Sequence, residues 1–400
     1  MTISYVASQI ETPLIPILAR MTRHGALVDK AFVRGLKVEV GETLDSLRGA
    51  LEYMAPGMDP MSNPSVGAWL FGPGGCRPTR FNKTGPVVDK FVLEDLDHPV
   101  ASLIREYRKA EKLMGTYIEP ILAQPTDRVH GKFNQYVTRT GRLSSSGPNL
   151  QNQDKRIRAA YVAPEGGALL CGDYGQQELR VLAHYSRDPE WLRWFNEGVD
   201  PHRAMGALMF SVEETGVIKS MRDAAKIINF GIPYGAGVKT LGKNLPGGQK
   251  QAAQLLEMHK AASPVLWAWL DWYKDLCREK GYAETIWGRR RWLPGLYSEL
   301  PDEMWAAERA AVNMPVQGSS ADITKLAMVR IDRVLEDPAW SGITMILQVH
   351  DELVLECRTV ELAERFKPVM EEVMVGVGRG KMDVPLVVDA HWGKTWKDAK

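Results

Sequence analysis

The chain has 400 residues, 44% of them hydrophobic and 25% charged, the make-up of an ordinary globular protein large enough for two or three cores. A net charge of +1 excludes a uniformly basic nucleic-acid binder, so any polyanion must be met by local clusters of Lys and Arg. Cys76, Cys171, Cys277 and Cys357 stand far apart with no Cys-x-x-Cys pair. This argues against a zinc site or a disulfide framework and predicts a reducing, intracellular setting.

No apolar run approaches the ~18 residues of a membrane span. The start, MTISYVASQIETP, lacks the basic residues and apolar stretch of a signal peptide, so the expectation is a protein neither exported nor anchored. Residues 11–53 show helical periodicity broken at His24-Gly25, which predicts two helices, the second N-capped by Asp29. Residues 54–86 are rich in Pro and Gly and read as a loop-dominated patch. Residues 100–122 predict a helix with Arg105, Arg108, Lys109 and Lys112 on its polar side, either a solvated face or a surface that tracks phosphates.

Residues 129–137 alternate loosely as a strand, and residues 138–153 are nearly all Thr, Ser, Gly, Asn, Gln and Arg. Such a stretch is often just a surface connection. Here, however, Arg139, Arg142, Lys155, Arg156 and Arg158 lie among hydroxyl and amide donors, the chemistry that holds a phosphodiester backbone without reading its sequence. Residues 167–186 open with an apolar run ending at Asp173 and turn helical from Gln176. A carboxylate there is poorly placed for stability, because an unpaired buried charge is costly; it is well placed to hold a metal.

In RDAAKIINFGIPY, helical spacing puts Arg222, Lys226, Phe230 and Tyr234 on one stripe. Two cations and two aromatics suit a triphosphate and a stacked base, though a half-exposed amphipathic helix fits the spacing too. The tryptophans of residues 255–276 are expected in a core, and Arg289, Arg290 and Arg291 in a turn available to phosphates. In TMILQVHDELVLEC, two β-rich runs flank His350-Asp351-Glu352 as in a tight hairpin. Two strand-end aspartates plus a cationic stripe suggest two-metal phosphoryl transfer.

The segments TGRLSSSGPNLQN, DYGQQELR, RDAAKIINFGIPYG, AAERAAVNMPVQGSSADI and QVHDELVLE resemble, in order and spacing, the motifs of the DNA polymerase I family, the family A DNA polymerases. The likeness runs from about Glu11 to the closing DVPLVVDAHWGKTWKDAK. It implies an α+β, helix-rich, right-hand fold with an antiparallel-sheet palm, helical fingers and a helical thumb. Residues 1–27 would begin the palm, 28–125 form the thumb, 126–180 carry the first metal motif of the palm, 181–303 form the fingers, and 304–400 complete the palm with its second metal motif.

The function implied is template-directed addition of deoxynucleotides to a primer 3′-OH with two Mg²⁺ ions. Asp173 and Asp351 would bind the metals with the Tyr174 carbonyl, and Glu352 would stand beside them as a further catalytic residue. One ion would lower the pKa of the primer hydroxyl while the other neutralised the pyrophosphate. Arg222, Lys226 and His202 would hold the triphosphate, with Lys226 as proton donor to pyrophosphate. Gln176 also falls at a nucleotide-binding position. Glu178 matches the steric gate that excludes ribose, Phe230 would pack on the sugar and disfavour dideoxynucleotides, and Tyr234 would sit by the templating base. Arg142, Asn149, Gln151, Arg309, Asn313, Gln317, Gln348 and His350 match positions that contact primer or template.

Gly175 and Gln177 stand where the family usually has Ser and Ile, which predicts a looser turn and a more polar outer surface. Pro233 predicts a kink or break between Phe230 and Tyr234, because proline cannot continue the helical ladder. The stretch before the thumb is shorter than the ~100–200 residues of a typical domain, so neither a 3′–5′ proofreading exonuclease nor a 5′ nuclease is expected in a chain that is either a polymerase module alone or a truncated form. The expected setting is replication by a monomer in bacterial or phage-infected cytoplasm. Primer-template DNA and dNTPs would be its partners, together with a separate exonuclease, helicase-primase or processivity factor. Repair or lesion bypass, a phage-type RNA polymerase and an inactive junction-binding relative are the alternatives.

Overall fold

The computed structural model describes residues 2–82 and 85–400, which divide into two compact units. The smaller comprises Ala26–Val129 and Asn152–Val162; the larger comprises the described residues up to Gly25, His130–Gln151 and Ala163–Lys400.

In the smaller unit the helix Lys30–Met54 starts where Asp29 accepts a hydrogen bond from the Phe32 amide, the N-cap that satisfies an otherwise unpaired donor. Val33, Leu36, Val40, Leu44, Leu47 and Leu51 form its buried stripe, packed against the helix Pro99–Leu113. On that second helix Lys109 and Lys112 are exposed, whereas Arg108 turns in and donates from Nε to the Pro60 carbonyl at 2.7 Å. The Pro- and Gly-rich patch holds more structure than its composition suggests. Ser62 caps an eight-residue helix, Asn63–Leu70, and positions 83 and 84 of the patch lie outside the described residues.

The larger unit is built on a four-stranded antiparallel sheet of β1 (Ala168–Tyr174), β2 (Ile343–Val349), β3 (Glu352–Cys357) and β4 (Val388–Gly393), in the order β2-β3-β1-β4. Period-two alternation gives the sheet two chemical faces. Leu170, Gly172 and Tyr174 share the face of Leu353 and Leu355, and this face meets the helix Val360–Val375. A Cβ on Gly172 would lie 2.7 Å from the Met370 methyl, so the close approach of helix to sheet requires glycine there. Asp173 lies on the other face, directly opposite Glu352 on one neighbour and Asp389 on the other.

The helical part, residues 177–313, closes around Trp191, Trp194 and Trp269. Of the tryptophans expected in that core, Trp267 is only half-buried and Trp272 is exposed. The helix Lys219–Gly231 ends before Pro233 and gives way to a single 3₁₀ turn, Ile232–Tyr234, the break that the missing proline N–H requires.

The arginine triplet is not a uniform turn tip. Arg289 is drawn inside, where its Nε donates to Asp322 Oδ1 at 2.8 Å and its guanidinium also meets Glu11. Lys325 Nζ reaches the same Glu11 carboxylate at 2.7 Å, and Thr285 Oγ donates to Asp322 at 2.7 Å. Arg290 pairs with Glu284 at 2.6 Å. Burial pushes the Asp322 carboxyl up and the Lys325 amine down from their ordinary ranges. Burial would also raise Glu11, but Lys325 and Arg289 hold it below the usual carboxylate range. Removing one member of such a buried set strands the others. Asp322→Ala is therefore expected to lower unfolding stability by about 3–5 kcal/mol, read from urea unfolding midpoints at unchanged m-value.

Candidate active site

Asp173 occupies the penultimate position of β1, and Asp351 the two-residue turn between β2 and β3. The turn is tight enough to hold His350 at φ +60°, a left-handed conformation uncommon outside glycine. The Tyr174 amide donates to the Asp351 carbonyl at 3.3 Å, which ties the two segments together. The Asp351 carboxyl is pushed up to about 6 by burial and by the nearby Asp173 charge. Glu352 is buried, and both its oxygens are engaged: Oε1 accepts from the Trp396 indole at 2.6 Å and Oε2 from Lys400 Nζ at 2.6 Å. Lys400 Nζ lies 3.2 Å from Asp173 Oδ2 as well. Burial alone would lower the pKa of this ammonium, but Glu352 and Asp173 raise it.

Beside the aspartates, Glu178 in the first turn of the helix Gln177–Ser186 accepts from Arg142 Nη2 at 2.5 Å and from the Tyr234 hydroxyl at 2.8 Å. Tyr234 also meets Gln317. Asn313 Nδ2 donates to the Pro233 carbonyl at 3.2 Å, and Arg309 packs where a side chain on Gly235 would be. Gln176 is half-buried at φ +53°, the left-handed residue that turns strand into helix. Residues from the polar stretch reach the hairpin through amides: Asn149 Oδ1 accepts from the Gln151 amide, Gln151 Nε2 donates to Gln348 Oε1 at 2.7 Å, and Gln348 Nε2 donates to the His350 carbonyl at 2.5 Å.

On the helix Lys219–Gly231, Ala224, Ala225, Ile228 and Asn229 are buried while Arg222, Lys226 and Phe230 stay accessible on the opposite stripe. Arg222 Nε donates to Asp200 Oδ2 at 2.7 Å, and Lys226 Nζ lies 6.0 Å from the Phe230 ring centroid. His202 is buried with its ring 5.3 Å from that of Phe230. Tyr234, expected on the same stripe, is carried by the 3₁₀ turn instead.

A family model described as DNA polymerase family A matches residues 30–398. The chain belongs to that family. Among curated relatives, the thermostable DNA polymerase I of Thermus thermophilus is 41% identical over 424 residues, 99% of this chain and 49% of the relative. DNA polymerase I of Pseudomonas aeruginosa is 38% identical over 415 residues, 100% of this chain and 45% of the relative. This family A chain thus spans about half the length of the curated relatives it matches. A solved structure, the POL domain of Pol1 from M. smegmatis in complex with DNA primer-template and dNTP, matches with a TM-score of 0.92 at 32% identity, covering 99% of this chain and 71% of that one. The helix-rich α+β class expected from sequence is therefore a polymerase-domain fold.

Two expectations for this family A chain need correction. The turn at Gly175 is not loose, because its amide donates to the Val387 carbonyl at 2.9 Å and its carbonyl accepts from Arg180 Nε at 2.9 Å. Gln177 does not make the surface more polar, since it is buried with its amide 3.4 Å from Thr324 Oγ. Sequence reasoning also missed Lys400, Asp389 and Asp200. Only Asp200 carried a signal, as an N-cap ahead of Pro201.

Because the folded Asp351 carboxyl is raised to about 6, ionising it costs stability. The cost accumulates as pH rises from ~4, its unfolded value, towards 6 and is complete above that. In EDTA at about pH 8, Asp351→Asn should therefore melt later than the parent by ~1–3 kcal/mol, with the difference closing as pH falls to ~4. Added Mg²⁺ should raise the Tm of the parent and not that of the variant.

Proposed function

We propose that the chain is a template-directed DNA polymerase that extends a primer 3′-OH with deoxynucleotides by two-metal phosphoryl transfer. The observation that carries this reading is the pairing of Asp173 with the raised Asp351, beside an accessible Arg222–Lys226–Phe230 stripe, in a chain that belongs to DNA polymerase family A. The relatives named DNA polymerase I and a neighbour solved with primer-template and dNTP support the same substrates here.

The residues fit divalent cations. The Asp351 carboxyl is raised by burial and by the Asp173 charge, so a cation shared by the two would favour their ionised forms, and a lysine ammonium already rests against Asp173. Among the described residues no group of three or more His, Cys, Asp or Glu side chains is placed to hold a metal ion, so the proposed site rests on the carboxylate pair. An open carboxylate pair suits Mg²⁺, which keeps positions for waters and phosphate oxygens. Held by Asp173, Asp351 and the Tyr174 carbonyl, two such ions would supply hydroxyl activation and neutralisation of the leaving pyrophosphate.

In this reading Arg222 and Lys226 bind and orient the triphosphate, and Lys226 delivers a proton to the departing pyrophosphate. Phe230 packs on the sugar, and Glu178, fixed by Arg142 and Tyr234, fills the space of a 2′-hydroxyl. The amide chain Asn149, Gln151, Gln348 and His350, with Arg309, Asn313 and Gln317, steadies primer and template at the junction. The unit of Ala26–Val129 and Asn152–Val162 serves as the thumb, residues 181–303 as the fingers, and the sheet as the palm. Extension without primer trimming is part of the proposal.

Primer extension on a 5′-overhang template with Mg²⁺ tests the reading. Extension is expected with dNTPs, not rNTPs, with no shortening of the primer when nucleotides are withheld, and Asp351→Ala should lose at least about a thousandfold in rate while still binding the junction. Junction binding without extension by the parent chain would remove the enzymatic reading. Phe230→Tyr should narrow the preference for deoxy- over dideoxynucleotides by about tenfold or more, measured by paired chain-termination assays; equal incorporation by both proteins would exclude that role for Phe230.

A further inference from the structure

Beneath the Phe230 stripe lies a buried chain of hydrogen bonds that the reaction scheme does not use. Trp267 Nε1 lies 3.1 Å from His259 Nδ1, His259 Nε2 lies 3.0 Å from Asn229 Oδ1, and Asn229 Nδ2 lies 3.1 Å from His202 Nδ1. His202, Asn229 and His259 are 2%, 0% and 0% exposed. They come from three different helices, Pro201–Phe210, Lys219–Gly231 and Gly248–Ala262.

The direction of every bond in this chain follows from its ends. An indole nitrogen can only donate, so His259 Nδ1 must accept and the ring's single proton sits on Nε2. That proton goes to Asn229 Oδ1, which leaves the Asn229 amide nitrogen to donate to His202. A second anchor agrees: the same Nδ2 lies 3.4 Å from the Pro201 carbonyl, which can only accept. His202 Nδ1 is thereby an acceptor, and a neutral His202 carries its proton on Nε2. Among the described residues no protein group takes that proton.

Charge does not override this polarity. His202 is faced by Asp200 at the cap of its own helix, by Arg222 and Lys226 from the next helix, and by neutral His259 through Asn229. Burial lowers the His202 pKa to about 4, with Arg222 and Lys226 acting in the same sense against Asp200. Burial likewise takes His259 to about 3.

We propose that Trp267, His259 and Asn229 are positioning residues that lock His202 as a neutral Nε2–H donor aimed at the incoming triphosphate. The proposal rests on the polymerase reading for the identity of the ligand and on the hydrogen-bond chain alone for the tautomer. A preset donor beside two cations adds direction to the grip on phosphate without adding a third desolvated charge.

The test has two arms. The first is long-range ¹H–¹⁵N NMR of the histidine-labelled full chain, with the His202 signal assigned by His202→Gln, which reads the tautomer without turnover. The second is steady-state extension with varied dNTP. The parent should show His202 in the Nε2–H form at neutral pH. His259→Phe, which can neither accept nor donate, should give mixed His202 tautomers and raise dNTP KM about three- to tenfold, the worth of one neutral hydrogen bond, with kcat nearly unchanged.

His259→Gln keeps an acceptor for Trp267 and a donor for Asn229 and should restore both readouts, while Trp267→Phe offers a milder loss if His259→Phe fails to fold. A charged or Nδ1–H His202 in the parent, or unchanged tautomer and KM in His259→Phe and Trp267→Phe, overturns the proposal. The expected tautomer in a parent that does not extend primers supports the relay and counts against the polymerase reading instead.

Discussion

Bringing carboxylates together away from water is the constraint on which the larger unit depends. Asp173, Glu352 and Asp389 form one row across three strands because the register pairs them directly, and Asp351 follows in the adjoining turn. A slip of one residue would carry Glu352 and Glu356 into the face that packs against the helix Val360–Val375 and bring Leu353 and Leu355 out. The apolar alternation of β1 and β3 thus holds the acids in place. Part of their repulsion is relieved by Trp396 and Lys400, and part persists in Asp351.

A second buried charge set serves a different purpose. Glu11, Arg289, Asp322 and Lys325 satisfy one another almost completely, join residues distant in sequence, and leave little charge unbalanced. The carboxylates of the sheet are left short of positive charge. That contrast separates an internal strut from the proposed cation site. The His259–Asn229–His202 chain follows a third course, spending no charge at all and using only the direction of hydrogen bonds.

Periodic and local features were legible in the sequence. The four-residue spacing of Arg222, Lys226 and Phe230, the cap at Asp29, the break before Pro233, and the apolar runs ending at Asp173 and Asp351 all arise from neighbours along the chain. Partnerships across space were not. Nothing near Arg289 signals Asp322, nothing near Lys400 signals Asp173, and a glutamine after a turn gives no sign that Thr324 waits behind it. The helix Asn63–Leu70 was readable from Ser62 and Pro64, but the glycines and prolines around it outweighed the cap. Motif order thus nominated the candidate site residues, while the contacts that tune their charge were visible only in three dimensions.

The order of strands also dictates the order of assembly. The central strand β1 pairs with β4, more than two hundred residues later in the chain, and with β3 from a hairpin that is itself far downstream. Contacts of such separation form slowly, because a long loop must close before any of them is gained. On the ribosome, β1 emerges long before either neighbour exists, with its apolar side chains uncovered and its polar backbone edges unpaired on both sides. The nascent chain must keep this strand shielded through synthesis of all the intervening helices, so the acidic row becomes complete only once β4 has been made.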